Sequence, residues 1–391
     1  MTAPYARPST LLWMNRKPKI GSSLFRERRF DLPRISAALS VASGSGGLVS
    51  TMLLLGLLVP VPPAQAQRSS NSDLANGAKT AAEAIAKHQH AAGYWTTSYT
   101  SQPRFEHPKI EVNTFLTSVM IDILKPQAAA AGLDESLRRA QHHLSGHIED
   151  GGLVRYHGRP QSPWIGAQGC RITPDTDDTS LVWRIAPSSK KYLLQQALAT
   201  IREYRTSEGL YRTWLAPKEK YECLDPGKDP NPPDVAIQMH LLLLLTDADA
   251  AAGRALCAAL QRAISDDRIW VYYHATPLIP IFRKEDLRRA GCPVQLPAAR
   301  LHAEPGQEVW VSIVQALDSI RSDHRGRQAP ASTEVMALLR KLSTDDFSAL
   351  RENPPLLYHN DLSASVPRFY WSEDAGYALW LRLYFENAAR H

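Results

Sequence analysis

Three aspartates within four positions make Asp175-Thr176-Asp177-Asp178 the most chemically loaded segment of the sequence. They follow a proline and precede an apolar stretch, which predicts the first turn of a helix. Carboxylates this close together cannot all ionise at low cost, so at least one is expected to keep its proton with a raised pKa. A proton held beside an apolar cavity can be delivered to a substrate. The segment therefore predicts general acid chemistry.

Two other roles compete for the same segment. Asp175 suits the N-cap of the helix and Asp178 a capping-box position, where acidic side chains also complement the helix dipole. Capping uses one or two of the carboxylates and leaves the third unexplained. A cation site is the other alternative, but the glycine and glutamate of a calcium loop are missing. The residues Ser180 to Val182 add no carboxylate for magnesium, so the sequence predicts no metal and no cofactor.

A repeat of about 58 residues divides the chain into pairs of helices. A short turn, usually containing glycine, is followed by an aromatic or branched residue and recurs at steps of 59, 57 and 59 residues, ending at Trp95, Val154, Tyr211 and Trp270. A helix with apolar residues on one face precedes each turn, and a loop and a more apolar second helix follow it. These second helices are predicted to begin near Val112, Asp175, Pro233, Pro277 and Glu308, with a last one over 367–389. Runs of alternating polarity are nearly absent, so few strands are expected.

Five or six such helical hairpins over residues 67–391 predict an all-α fold in one domain. The predicted architecture is an (α/α)6-type toroid, in which inner helices form a closed barrel and outer helices surround it. An open solenoid would need polar caps at its ends, whereas the C-terminal helix is strongly apolar at Tyr377, Leu379, Trp380 and Leu383. The second helices are assigned to the inner barrel, so their N-termini surround one mouth of it.

Further candidate residues are predicted around the same mouth. Asp234 follows Asp177 by 57 positions, one repeat, and Glu373 lies at the start of the last inner helix.

Residues 1–66 have the composition of a targeting segment. They hold eight of the 45 lysines and arginines against two acids, so the remaining chain has 37 charges of each sign. The net charge of +6 therefore belongs to the leader and gives no support to nucleic-acid binding. Its basic residues, the apolar run 48–61 and Ala64-Gln65-Ala66 predict a cleaved signal peptide or, alternatively, an uncleaved membrane anchor. We therefore expect an exported protein, periplasmic or secreted, or one anchored to a membrane by this segment.

The four cysteines are compatible with an oxidising compartment. They are Cys170, Cys223, Cys257 and Cys292. Their spacing does not match a zinc site, and an even number in an exported chain permits disulfides. Cys170 and Cys223 both precede predicted helix starts, so a bridge between them is the favoured pairing. Buried free thiols are the alternative.

Two motifs resemble those of class II terpene cyclases, the squalene–hopene cyclase relatives within the prenyltransferase and squalene cyclase toroid superfamily. The run Asp175-Thr176-Asp177-Asp178-Thr179 resembles their Asp-x-Asp-Asp-Thr motif, and Gln89-His90-Ala91-Ala92-Gly93-Tyr94-Trp95 resembles their Gln-Trp repeat. The resemblance implies a helical toroid, here as an outlying single-toroid member. It also implies that Asp177 protonates an alkene or epoxide, that Asp175 and Asp178 support it, and that aromatic walls stabilise the carbocation. Each candidate for these walls is also a candidate for core packing, and the candidates are Trp183, Tyr272, Tyr273, Trp310, Tyr370 and Trp371.

Protonation and cyclisation of an isoprenoid alkene, an isomerase activity, is therefore the function that the sequence favours. One alternative is an exported (α/α)6 glycan-active hydrolase or lyase, with Asp177 and either Asp234 or Glu373 as its paired carboxylates. Another is a non-catalytic envelope protein that binds a ligand at the mouth of the barrel. The expected ligand is accordingly a small apolar isoprenoid or a glycan.

Overall fold

The computed structural model describes residues 64–100, 105–159, 172–224, 230–322, 332–360 and 368–390. These residues belong to the compact unit Pro62–His391. The leader predicted over 1–66 lies outside them except for 64–66, which open the first helix, so the leader and the domain boundary stay predictions. None of the described helices is both long and apolar enough to span a membrane.

Helices make up most of the described residues. The first α-helices are α1 (Ala64–His88), α2 (Thr114–Leu124), α3 (Ala128–Ala131), α4 (Asp134–Ser145), α5 (Thr176–Ile185) and α6 (Lys191–Glu203). They are followed by α7 (Val235–Ala248), α8 (Ala250–Ala263), α9 (Leu278–Arg289), α10 (Glu308–Ser322), α11 (Ser332–Glu352) and α12 (Glu373–Ala388). The outer helix α11 is interrupted at Thr344–Phe347 by non-helical backbone.

Six of these helices form a closed ring. Helices α2, α5, α7, α9, α10 and α12 each pack against the next, and α12 packs back against α2. Helices α1, α4, α6, α8 and α11 lie outside the ring and precede α2, α5, α7, α9 and α12 respectively along the chain. The predicted (α/α)6-type toroid is confirmed, with one departure: residues 290–307 join α9 to α10 through a short 3-10 turn at Ala298–Arg300 and no outer α-helix.

The inner helices begin at nearly the predicted positions because local capping fixes their starts. The N-cap residues of α2, α5, α7 and α12 have extended backbone, and each side chain accepts a hydrogen bond from the first helical turn. These caps are Asn113, Asp175, Asp234 and Ser372. Since every inner helix runs in the same sense around the ring, the caps lie at one mouth of the barrel.

The turns of the repeat require glycine for steric reasons. Gly93 and Gly152 have φ values of +102° and +80°, a region that favours glycine. A Cβ at Gly152 would lie 2.0 Å from the carbonyl oxygen of Leu193, and one at Gly93 would lie 2.4 Å from that of Arg139. The turns therefore press directly against the backbone of the neighbouring outer helix. This contact explains why glycine recurs with the repeat.

A small sheet covers part of the mouth. The strands β1 (Thr96–Thr100), β2 (Lys109–Val112), β3 (Leu356–His359) and β4 (Phe369–Trp371) pair antiparallel in the order β2-β1-β4-β3. These strands are too short to produce an alternating pattern, and two of them lie more than 240 positions from the other two. For that reason the sequence analysis did not predict this sheet. Because Phe369–Trp371 pair as β4, α12 begins at Glu373 and not near 367 as predicted.

Within the described part of the chain, a disulfide joins Cys257 in α8 to Cys292 just after α9. Sequence reasoning did not favour this pair, because neither cysteine stands at a predicted helix start. Cys170 lies outside the described residues, so the bridge between Cys170 and Cys223 stays a prediction.

Candidate active site

The acid cluster lies at the first turn of α5, inside the mouth of the barrel. Asp175 is the N-cap, and its Oδ1 accepts a hydrogen bond from the backbone N of Asp178 at 2.7 Å. Burial and the neighbouring carboxylates of Asp178 and Asp177 raise the pKa of Asp175 well above its ordinary value. The other oxygen of Asp175, Oδ2, is buried and has no hydrogen-bond partner among the described residues. Asp175 thus combines the capping role with a place in the acid cluster.

Asp178 ties α5 to the preceding inner helix. Its Oδ1 accepts a hydrogen bond from Oγ1 of Thr114 in the first turn of α2. Burial raises the pKa of Asp178 to about 7, and the charge of Asp177 acts in the same direction. The cluster is therefore held on two sides, by Asp175 within its own helix and by Thr114 from the neighbouring helix.

Asp177 is the member of the cluster that bonds to the next inner helix, α7. Its carboxyl group is 8% exposed, and its Oδ1 lies 2.5 Å from Nδ1 of His240, a fully buried residue in the middle of α7. Burial raises the pKa of Asp177 to about 7, while the positive charge of Arg283 acts in the opposite direction. At neutral pH a large fraction of Asp177 therefore carries a proton.

The hydrogen bond fixes the tautomer of His240. Burial, with the positive charges of Arg283 and Arg184, lowers the pKa of His240 well below its ordinary value, so the ring is neutral and has one N–H. Its Nε2 is buried and has no hydrogen-bond partner among the described residues. A proton on Nδ1 leaves only an acceptor unpaired there, whereas a proton on Nε2 would bury an unpaired donor. Nδ1–H therefore donates to Oδ1 of Asp177, and the carboxyl proton belongs on Oδ2.

A buried ion-pair network lies beneath this pair. Arg283 of α9 donates to Asp122 of α2 at 2.6 Å, and Arg184 of α5 donates to the same carboxylate. Burial alone would raise the pKa of Asp122, but the two arginines outweigh it and lower the pKa to about 2. The network joins three inner helices and supplies the positive field that acts on His240 and Asp177.

Aromatic side chains border the acid cluster on the side of the sheet. Tyr273 is buried, and burial together with the charges of Asp177, Asp234 and Asp178 raises its pKa well above normal, so it is a neutral phenol near the acid cluster. Phe115 lies with its ring centroid 6.5 Å from that of His240 and 4.8 Å from that of Tyr358. These aromatic faces continue from the acid toward the sheet.

The predicted partner acids have structural roles. Asp234 is the N-cap of α7 and thus corresponds to Asp175, not to Asp177 as the repeat spacing suggested. Its Oδ1 accepts from Ala236 N at 2.9 Å, and its Oδ2 accepts from Val271 N and Tyr272 N at 3.0 and 2.9 Å. Burial raises its pKa to about 7, but both oxygens are held by backbone donors.

Glu373 lies at the start of α12, half-buried. Its neighbour Asp374 is buried and accepts from Nδ1 of His88 at 2.8 Å, which ties α12 to the end of α1. Asp374 holds the same position in its helix as Asp177 does in α5, two residues after the N-cap. The interaction with His88 gives Asp374 a role in joining these helices.

The predicted aromatic residues have different roles in the structure. Trp183 and Trp310 donate their indole N–H to the carbonyl oxygens of Gly152 and Asn353, each at 2.7 Å, and are packing residues of the repeat. Tyr273 and Tyr370 belong to the aromatic border. Of the others, Trp371 packs its ring against that of Phe105 on the sheet, and Tyr272 contributes its backbone N–H to Asp234.

The sequence analysis did not identify His240, the hydrogen-bond partner of Asp177. A histidine within the otherwise apolar run Val235–Leu245 was the available signal, because a buried polar side chain requires a partner. It also missed Glu111, Tyr156, His157 and Tyr358, which form a second polar group beside the sheet. Among the described residues, no group of three or more His, Cys, Asp or Glu side chains is arranged to hold a metal ion.

No protein-family model and no curated protein matches the chain. Its fold is similar to that of type II terpene cyclases. A variant of MstE from Scytonema, solved with its substrate geranylgeranyl dihydroxybenzoate, is 12% identical with a TM-score of 0.46, covering 83% of this chain and 99% of that chain. MstE without ligand is 12% identical with a TM-score of 0.44, and the match covers 82% of this chain and 99% of that chain. A protein from Actinoplanes is 14% identical with a TM-score of 0.45, and the match covers 81% of this chain and 99% of that chain.

Proposed function

We propose that this protein is a terpene-cyclase-like enzyme in which Asp177 protonates an alkene of an isoprenoid substrate and starts its cyclisation. The observation that carries the proposal is the buried hydrogen bond between Asp177 and His240. It supplies an acid of which a large fraction is protonated at neutral pH. It also supplies a hydrogen-bond donor, Nδ1–H of His240, that is already in position for the conjugate base.

The acid must hold its proton before the reaction and release it during the reaction. Burial raises the pKa of Asp177 to about 7, which keeps the proton available. When the proton leaves Oδ2, the negative charge is stabilised by Nδ1–H of His240 and by the field of Arg283. Donors that are already oriented toward developing charge lower the barrier without reorganisation.

The proton would be added to one carbon of the alkene, and the adjacent carbon would become the cation. The electron pair of the double bond forms the new C–H bond. The neutral ring of Tyr273 lies near the acid cluster, and Phe115 lies beside His240. These aromatic rings would stabilise the cation where it forms. A second double bond of a linear isoprenoid can then attack the cation and close a ring.

The alternatives draw less support from the same residues. A glycan-active enzyme needs two free carboxyl groups across a cleft, and both oxygens of Asp234 accept from backbone N–H groups. Simple capping explains Asp175 but gives no reason for the bond between Asp177 and a histidine 63 positions away. Export or membrane anchoring through the leader remains part of the proposal.

The test is conversion of linear isoprenoids by the purified chain. Farnesol, geranylgeraniol and squalene are incubated with the wild type and with Asp177→Asn, and cyclised products are identified by mass spectrometry. We expect wild-type conversion to fall at least about a hundredfold in the variant, since the general acid is lost. Equal product profiles would remove Asp177 as the proton donor, and binding without turnover would favour the non-catalytic alternative.

Asp374→Asn is the matched control. It changes an aspartate at the same helical position, also bonded to a histidine, in another inner helix. We expect it to leave conversion within about twofold of the wild type, which separates the acid chemistry from general effects on the mouth of the barrel.

A further inference from the structure

A second buried carboxylate lies at the mouth, on the inner face of the sheet. Glu111 of β2 pairs with Thr97 of β1, which places it on the same sheet face as Tyr99. Tyr99 pairs with Tyr370 and that residue with Tyr358, so three tyrosine rings form a cross-strand stack on this face. The side chain of Glu111 is 4% exposed. It therefore lies at one end of a buried aromatic surface.

Polar side chains orient this carboxylate. The hydroxyl of Tyr156 donates to Oε1 of Glu111, and Nδ2 of Asn113 lies 3.4 Å from the same oxygen. The hydroxyl of Tyr156 also contacts that of Tyr358 in the aromatic stack. These donors hold Oε1, and Oε2 is the oxygen that faces His157.

His157 connects Glu111 to the acid cluster. Its Nε2 lies 3.7 Å from Oε2 of Glu111, its side chain is 8% exposed, and neither ring nitrogen has a hydrogen-bond partner among the described residues. The residue before it, Tyr156, accepts a hydrogen bond from Thr114 N through its carbonyl oxygen, and the hydroxyl of Thr114 donates to Asp178, so His157 lies near the acid cluster as well. A buried imidazole near two carboxyl groups, with both nitrogens unpaired among the described residues, is suited to move a proton between them.

The same aromatic rings that border the acid lead to Glu111. Phe115 stands between His240 and Tyr358, and the Tyr273 and Tyr358 ring centroids are 6.5 Å apart. Aromatic rings in edge-on or tilted contact therefore connect the surroundings of Asp177 with those of Glu111 and can stabilise positive charge between the two carboxyl groups. Carbocation cyclisation must end by loss of a proton or by capture of water, and Glu111 is the buried carboxylate at the other end of these rings.

We propose that Glu111 is the base that ends the reaction and that His157 returns the proton to the acid cluster. This inference rests on the proposed function. A C–H bond next to the final cation breaks, its electron pair forms the new double bond, and the proton passes to Oε2 of Glu111. Nε2 of His157 takes it, Nδ1 gives a proton to Asp178, and Asp178 passes a proton to the neighbouring Asp177, which restores the acid. No external acid, base or oxidant is consumed.

The competing explanation is that Glu111 only supports Tyr156 and the N-cap Asn113. Glu111→Gln distinguishes the two, because the amide keeps the shape and an acceptor oxygen but cannot take a proton. With the isoprenoid that the wild type converts, we expect the first turnover in rapid-mixing experiments to stay within about threefold of the wild type and later turnovers to slow, since no proton is returned. The fraction of product ending in an alkene should fall at least about tenfold in favour of water-captured alcohols, since a positioned base typically contributes two or more orders of magnitude. An unchanged product ratio would overturn the proposal while leaving the proposed function intact.

Further variants keep the test decisive if Glu111→Gln folds poorly. Tyr156→Phe should shift products in the same direction by a smaller factor, because Oε1 loses a donor. His157→Phe should keep the first turnover and slow later ones at least about tenfold in rapid-mixing experiments, while the same rate throughout would overturn the return path. Glu285→Gln, a buried acid paired with Arg288 and Arg289, is the matched control and should leave the product ratio unchanged. A wild-type chain inert toward all three isoprenoids would remove both proposals.

Discussion

Nδ1 of His240 lies 2.5 Å from Oδ1 of Asp177, and this hydrogen bond joins the middle of α7 to the first turn of α5 within the barrel. Both side chains are buried, and they are 63 positions apart. The pair turns one of three crowded aspartates into an acid with a defined proton position.

Replacing His240 with phenylalanine should weaken the acid without unfolding the barrel. The ring fits an apolar helix, but Asp177 loses the donor that stabilises its charged form, so its pKa should rise further. Conversion of the isoprenoid should fall about a hundredfold or more, and the falling limb of its pH–rate profile should move to higher pH. His88→Phe removes the equivalent partner of Asp374 and should change neither quantity. An unaltered pH profile in His240→Phe would count against the role given to this bond.

The stability difference between wild type and Asp177→Asn should depend on pH. The pKa of Asp177 rises from 3.8 to about 7 on folding, so the folded state binds more protons than the unfolded state between these values. The contribution of Asp177 to stability is therefore fully present below about pH 4 and is lost as the pH rises through about 7. Asp177→Asn should gain stability relative to the wild type over that window. Urea unfolding of both proteins at several pH values measures the difference, and a constant difference would contradict the raised pKa.

Asp122→Asn should destabilise the barrel strongly. The substitution leaves the buried guanidinium groups of Arg283 and Arg184 without the carboxylate that joins them. Removing one partner of a buried ion pair typically costs about 3–5 kcal/mol. Asp150→Asn, at a fully exposed aspartate, should have little effect. Equilibrium unfolding in denaturant measures both, and equal losses would mean that the network is not a stabilising feature.

Gly152→Ala should destabilise the protein far more than Gly132→Ala. Both glycines have positive φ values, +80° and +68°, and share the cost of a left-handed alanine, about 1 kcal/mol. Only Gly152 has a backbone oxygen 2.0 Å from the added Cβ, whereas nothing lies within 4 Å at Gly132. Thermal unfolding should therefore give a midpoint several degrees lower for Gly152→Ala. Equal midpoints would contradict the close approach of the turn to α6.

Several features of the fold were predictable because their causes are local. N-cap residues and apolar periodicity placed the starts of α2, α5, α7, α9 and α10 within about two residues. The start of α12 was misplaced because β4 depends on pairing with strands elsewhere. Asp234 was matched with Asp177 by repeat length, but cap geometry matches it with Asp175.

The sequence by itself determined the paired helices, the toroid and the segment that carries the acid, since these follow from spacing, capping and apolar faces. Only the tertiary structure decided which aspartate has a histidine partner, which carboxylates are held by backbone amides, and that Glu111 and His157 lie beside the cluster. Proton affinity depends on burial and on charges brought close through space. For Asp177 these are its burial and the charge of Arg283, and both arise only when the ring of helices closes.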